Sequence, residues 1–218
     1  MRVAVLFSGG KDSVFAAFWA LMHGFDITLV TVKPPDYSMM FHHPNIKWTK
    51  LQAQAMGLKQ VFVETTEENW QAQLTKEFRR LKAQGIATGA IESEYQRRRI
   101  DRIGEEFGIP TYAPLWHKGL ESGVRDEMLE HFEIYVIAVS AEGLGPEFLG
   151  QPLKKLVDAK KPNIHPFLEG GEGETFVADA PFFKKRIKIT KWKKSWDGVR
   201  GVAEIEHAHL VNRFPKRL

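Results

Sequence analysis

Val3-Ala4-Val5-Leu6-Phe7-Ser8-Gly9-Gly10-Lys11-Asp12-Ser13 carries the passage from a first strand to a first helix. Val3 to Phe7 is a short continuous apolar run, as a strand buried on both faces requires, and Ser13 to His23 repeats with helical period. The inward face of that helix is expected to carry Phe15, Phe18, Trp19 and Met22. Between strand and helix, the paired glycines let the backbone turn tightly and converge its N–H groups into an anion nest, and the helix start adds partial positive charge. Lys11 can neutralise a phosphate, and Ser8 and Ser13 can donate hydroxyl hydrogen bonds. Asp12 can cap the helix or hold Mg2+ on the phosphates. The spacing matches neither the Walker A loop nor the dinucleotide GxGxxG pattern.

Outward from this loop, apolar runs alternate with helical segments. Ile27 to Val32 is followed by a helix near Asn45 to Met56, and Val61 to Val63 by a helix near Glu67 to Gln84. Ile86 to Ile91 then leads into a helix near Glu94 to Phe107. This order predicts an α/β fold: a Rossmann-like parallel sheet, with ligands at the carboxyl ends of its strands. Attention therefore falls on Ser8 to Asp12, Lys33 to Pro44 and Gly89 to Glu92. Beyond Trp116 the texture changes to a helix near Leu120 to His131, a strand Ile134 to Val139, a short helix near Leu153 to Lys160 and a long irregular stretch. Strands near Arg186 to Trp192 and Val202 to Leu210 finish the chain. The expected organisation is a nucleotide-binding domain over 1–118 and a smaller α+β domain over 119–218.

The composition narrows the chemistry. The 218 residues are 43% hydrophobic, enough for a real core, and no apolar run reaches the ~18 residues of a membrane span. The start does not read as a cleavable signal, so a cytoplasmic protein is expected. Zero cysteines exclude a disulfide scaffold, a thiolate metal site, a cysteine nucleophile and a persulfide relay on this chain. The net charge of +4 permits an acidic partner without requiring one.

Three further blocks are candidates for chemistry. Gly89-Ala90-Ile91-Glu92-Ser93-Glu94-Tyr95-Gln96-Arg97-Arg98-Arg99, continuing to Pro114-Leu115-Trp116, begins at a strand end where a glycine permits close backbone approach. Its arginines make either a ligand surface or a solvated basic helix face. Met40-Phe41-His42-His43-Pro44-Asn45 lies after the second strand and reads as a lid or as a loop pinned by its aromatic. The adjacent histidines point apart and do not suit a two-histidine metal site. Glu169-Gly170-Gly171-Glu172-Gly173-Glu174-Thr175 spaces three carboxylates with glycines. These are not core residues: they decorate a flexible loop, or they face a cation, a metal or a proton to be accepted.

The Ser8 to Ser13 hexapeptide resembles the PP-loop of the N-type ATP pyrophosphatases, which split ATP between its α and β phosphates. With the MFHxPN, GAIxSxYQRxR, PLW and EGGExET blocks in that order, the chain resembles the diphthine-ammonia ligase family over most of its length. The resemblance implies an ATP-dependent ligase that amidates diphthine, a modified histidine of translation elongation factor 2, with ammonia through an acyl-adenylate. It implies that Ser8 to Ser13 hold the ATP phosphates with Mg2+, and that Thr31, Val32, Gly89 and Ala90 line the nucleotide. Met40, Phe41, His42, Glu92, Ser93, Tyr95, Gln96, Arg97, Arg99 and Trp116 flank the α-phosphate and substrate. Glu169, Gly170, Gly171, Glu172, Glu174 and Thr175 belong to the acceptor side, and Lys11, Asp12, Glu172 and Glu174 carry the chemistry. Trp116, Tyr95, Phe41 and Tyr112 are available as a cation-π wall for a quaternary ammonium. Two departures stand out: Gly173 replaces the family's usual tyrosine, and Asp101 to Ile103 lack its cysteine-bearing helix continuation.

Two rivals remain. The basic run Lys184 to Lys194, with Trp192 and Trp196 interleaved, suits a PP-loop enzyme that adenylates a tRNA base, although its alternation also fits an edge strand guarded by lysines. A module that binds ATP without turnover is the other, and Lys11 and Asp12 argue against it.

Overall fold

The computed structural model describes residues 1–33, 45–66, 68–90, 94–118 and 123–213, with 94–96 by backbone alone. Its contacts divide the chain into two units. The first comprises Met1–Ser8, Asp12–Thr49 and Leu58–Lys118; the second comprises Gly9–Lys11, Lys50–Gly57 and Gly119–Leu218.

The first unit is built on five parallel strands, β1 (Arg2–Leu6), β2 (Asp26–Lys33), β3 (Lys59–Glu64), β4 (Gly85–Ala87) and β5 (Thr111–Tyr112), in the order β3-β2-β1-β4-β5. The α/β expectation holds. Helix α1 (Lys11–Met22) follows β1, α3 (Trp70–Arg80) precedes β4, and α4 (Glu94–Phe107) joins β4 to β5, while α2 (Thr49–Met56), which precedes β3 in sequence, falls with the second unit from Lys50 onward. Ala4, Val30, Val63 and Ile86 of the sheet pack with Leu74 and Phe78 of α3 and Ile100 and Ile103 of α4. Because β1 lies between β2 and β4, the winding reverses there. The carboxyl ends of β1 and β4 therefore form the switch point at which such sheets open a crevice.

One helix face differs from expectation. In α1 the buried apolar residues are Val14, Ala16, Ala17 and Ala20, each at 0% exposure, whereas Met22 is 70% exposed and Phe15, Phe18 and Trp19 are only partly covered. Small side chains let a helix settle close to neighbouring backbone, and the bulky aromatics take the flanks. Trp19 there packs beside Phe25 and Tyr112, with ring centroids 6.0 and 5.3 Å away.

The second unit holds an antiparallel sheet in the order β7-β6-β9-β8, made of β6 (Glu133–Val139), β7 (Gly173–Asp179), β8 (Lys185–Trp196) and β9 (Gly201–Asn212). Helices α5 (Val124–His131) and α6 (Leu153–Asp158) accompany it. Strand β7 arises where the sequence reads as irregular: its Phe176, Val177 and Ala178 are buried, and the glycine-acid run before it hides the alternation. Strand β8 is an edge, with Ile187 buried between exposed Arg186 and Lys188, so its cations stand where a lone edge needs protection. Among the described residues no helix is long and apolar enough to cross a membrane.

Candidate active site

Within the first unit, the loop after β1 is anchored at both ends. Phe7 donates its N–H to Val30 O, and its own carbonyl accepts the buried Thr31 hydroxyl at 2.8 Å. Gln60 stands behind, its Nε2 donating to Thr31 Oγ1 and Thr49 Oγ1 at 2.8 Å each. Thr31 thus spends its hydroxyl on holding the end of β1. The Ser8 N–H and Oγ both donate to Ser13 Oγ at 3.2 Å, closing the turn on the start of α1.

Gly89, after β4, lies against that turn. A Cβ at Gly89 would fall 2.6 Å from Asp12 C and 2.7 Å from Ser13 N, both backbone atoms, so no other residue fits without displacing the helix start. The two strand ends at the switch point therefore meet backbone to backbone. Ala90 is buried, and its N–H donates to Thr88 Oγ1. Val32 is partly buried on β2.

Within the second unit, Gly9 adopts φ +84°, and its carbonyl accepts from Val177 N at 3.1 Å and Gln52 Nε2 at 2.8 Å. The Lys11 amide, at the N-terminal end of α1, donates to Thr175 Oγ1 at 3.1 Å. Lys11 is 3% exposed and Thr175 8%. Among the predicted residues, the structure thus groups Gly9 and Lys11 with Thr175, and Ser8, Asp12 and Ser13 with Gly89. Asp12 is the single carboxylate of the turn. No cluster of three or more metal-ligating side chains occurs among the described residues.

The Glu169 to Thr175 segment is tied down through its own carboxylates. Glu169 is bidentate to Arg125, with Nε to Oε1 at 2.8 Å and Nη2 to Oε2 at 2.6 Å, and both side chains are 4% exposed. Glu172 accepts the N–H groups of His165 and Gly170 at 2.8 Å each, while Gly171 turns at φ +86°. Gly173 pairs with Val139, and a Cβ on it would stand 2.3 Å from Ala138 O. That close approach leaves no room for a side chain at this position without shifting the pairing. Glu174, second in β7, pairs with Ala138.

Trp116 carries the Arg97 guanidinium over its ring at 4.5 Å, and His117 stacks beside it at 4.6 Å. Arg97 also pairs with Asp101 at 3.2 Å. Arg99 is partly buried. Tyr112 does not serve as a wall at the ligand edge: its ring reaches Gly85, at the amino end of β4, and joins the Trp19 and Phe25 cluster. Met40, Phe41, His42, Glu92 and Ser93 lie outside the described residues, as do the side chains of Tyr95 and Gln96.

Sequence reading missed Gln52, Gln60 and Arg125. A signal for Gln52 exists, since Thr49, Ala53 and Met56 share its helix face and all four are buried, whereas Gln54 faces out.

Family models for the diphthamide synthase N-terminal domain and C-terminal domain match residues 1–111 and 121–211. The human diphthine–ammonia ligase is 31% identical over 227 residues, spanning 87% of this chain and 83% of that protein. The chain belongs to the diphthine–ammonia ligase family. The Schizosaccharomyces pombe member, also named diphthine–ammonia ligase, is 31% identical over 87% of this chain, which spans only 36% of that longer protein. Among solved structures, a 4-thiouridine synthetase in complex with RNA and bound ATP aligns over 59% of this chain and 39% of its own, with 18% identity and a TM-score of 0.43.

Proposed function

We propose that this chain amidates the carboxylate of diphthine on translation elongation factor 2 with ammonia, consuming ATP and releasing AMP and pyrophosphate. What most supports the reading is the turn at Ser8 to Ser13, closed by a Gly89 that admits no side chain, in a chain of the ligase family. A carboxylate does not yield to ammonia directly, because oxide would have to leave. Its oxygen attacks the α-phosphorus, the bond from that phosphorus to the bridging oxygen breaks, and pyrophosphate departs from an acyl-adenylate. Ammonia then attacks the acyl carbon, AMP leaves with the bonding pair, and the nitrogen gives up a proton.

Residues 1–118 serve the nucleotide and 119–218 the acceptor in this reading. The amides of Gly9, Gly10, Asp12 and Ser13 and the Lys11 side chain bind the departing pyrophosphate, and such preorganised donors contribute a few kcal/mol each, roughly, to the transition state. Asp12 would hold Mg2+, which screens the phosphate charges when bound. Thr31, Val32, Gly89 and Ala90 line the nucleotide through backbone and buried surface. Met40, Phe41, His42, Glu92, Ser93, Tyr95, Gln96, Arg97, Arg99 and Trp116 are assigned to the substrate. Glu174 is the group we assign to take the ammonium proton, and Glu172 supports the loop beside it, its two oxygens accepting the His165 and Gly170 amides. A cysteine-free chain has no thiolate with which to draw ammonia from glutamine, which suits dissolved ammonia in the cytoplasm.

The test is incubation with ATP, Mg2+, ammonium and diphthine-bearing elongation factor 2, following AMP by chromatography and the factor by intact mass. AMP should depend on the acceptor, the factor's mass should fall by the difference between a carboxyl and an amide, and Lys11→Ala and Asp12→Ala should lose both signals. Release of ADP would overturn the assigned cleavage, and AMP release that depends on RNA would favour a nucleobase substrate.

A further inference from the structure

Gln52 is 0% exposed, and both hydrogens of its carboxamide are spent on backbone: Nε2 donates to Gly9 O and Val177 O at 2.8 Å each. Its Oε1 is buried with no hydrogen-bond partner among the described residues. A buried acceptor without a donor is costly, and turning the amide over would bring its oxygen against two carbonyl oxygens. An apolar side chain would fill the same place without that cost, so the site is suited to an amide for what the amide holds. What it holds is the Gly9 carbonyl, shared with Val177 N–H.

A trans peptide is planar, with C=O and N–H on opposite sides, and no peptide among the described residues is cis. Fixing the Gly9 carbonyl toward Gln52 and Val177 therefore fixes the Gly10 N–H in the opposite direction. Gly9, at φ +84°, has the conformational latitude to lose that orientation if the carbonyl is released. Thr175 performs the matching task one residue on, where its Oγ1 takes the Lys11 N–H at 3.1 Å.

We propose that Gln52 and Thr175 are positioning residues for phosphate binding: from α2 and β7 they hold the Gly9–Gly10 peptide and the Lys11 amide in the shape that receives the nucleotide. The proposal rests on the nucleotide reading given above and adds two residues outside the glycine-lysine motif that set the shape of its backbone.

The test is direct ATP binding with Mg2+ by equilibrium titration, with no acceptor present, alongside thermal melting and the KM for ATP in the full reaction. Gln52→Leu should weaken ATP binding about tenfold, the scale of one to two net hydrogen bonds, and raise KM for ATP more than it lowers kcat. Thr175→Val, close in shape but without the hydroxyl, should weaken it about fivefold, and Thr175→Ser should restore it to within about twofold. If Lys11→Ala weakens ATP binding while Gln52→Leu and Thr175→Val bind as wild type, the proposal is overturned and the nucleotide reading stands. If the wild-type chain binds no ATP, the nucleotide reading fails. Should Gln52→Leu not fold, the Thr175 pair decides: equal binding by Thr175→Val and Thr175→Ser overturns the proposal, whether both match wild type or both fall short of it.

Discussion

Two glycine-bearing loops with charged residues, Ser8 to Ser13 and Glu169 to Thr175, share a composition and are held in opposite ways. The first is braced from outside: Val177, Gln52 and Thr175 grip the backbone of Gly9 and Lys11, and Gly89 packs against the backbone at Asp12 and Ser13. The second is braced by its own carboxylates, with Glu169 locked on Arg125 and Glu172 on two amides. Charge near glycine therefore does not by itself mark a ligand site; what matters is whether the charge is already spent on the fold.

This contrast predicts a double dissociation. The largest effect belongs to the second loop. Arg125→Ala strands a carboxylate whose side chain is 4% exposed, and removing one partner of a buried pair costs about 3–5 kcal/mol. Urea unfolding should show that loss, and the paired change Arg125→Met with Glu169→Leu should recover most of it. If the single substitution leaves the midpoint unmoved, the second loop is not braced as described.

Lys11→Met comes next and acts on the other side of the comparison. It keeps the apolar stem and deletes the charge, so acceptor-dependent AMP formation should fall by about 10²–10³-fold, while the unfolding midpoint moves far less than in Arg125→Ala. A variant that lost stability and kept its turnover number would invert the assignment of the two loops.

Much of the first loop's setting is legible from residue order alone. The βαβα alternation specifies the parallel sheet, and the Ser8 to Ser13 spacing locates the loop at the end of β1, because buried strands and tight turns are encoded locally. The register that brings Gly89 onto Asp12 is legible only as a glycine at a strand end; the reason for it is a non-local packing distance. Strand β7 and the Arg125–Glu169 pair are not legible. Forty-four positions separate the two partners, and the sequence of a loop carries no record of a cation that distant. The face of α1 misleads for a related reason: hydrophobicity favours Phe15 and Met22, while close packing favours Ala16, Ala17 and Ala20.

A smaller effect is expected inside the second loop. Glu172→Ala leaves the His165 and Gly170 amides without their acceptor and should cost about 1–2 kcal/mol in denaturant unfolding. Glu174→Gln should instead leave stability near wild type and slow amidation, read as AMP formation per unit time. If Glu172→Gln abolished turnover at unchanged stability, the proton would belong to Glu172, and the second loop would resemble the first.

The least perturbing test concerns how far internal bracing extends along β6 and β7, away from Thr175. At that end Glu133 pairs with Arg186 and accepts the Tyr135 hydroxyl at 2.6 Å, while Asp179 pairs with Arg213 at 3.2 Å. Burial, reinforced by the Glu133 carboxylate, pushes the Tyr135 phenol up to about 12, with Arg186 opposing. A phenol whose pKa is raised on folding stabilises the protein fully below its unfolded value near 10, and that contribution is lost as pH climbs toward about 12. Ultraviolet difference titration should therefore show one tyrosine ionising about two units late, absent in Tyr135→Phe, with the unfolding midpoint of the wild type declining more steeply over the same interval. Ionisation of Tyr135 near 10 would mean that this end of the sheet is solvated, and that self-bracing in the second unit is confined to the Glu169 loop.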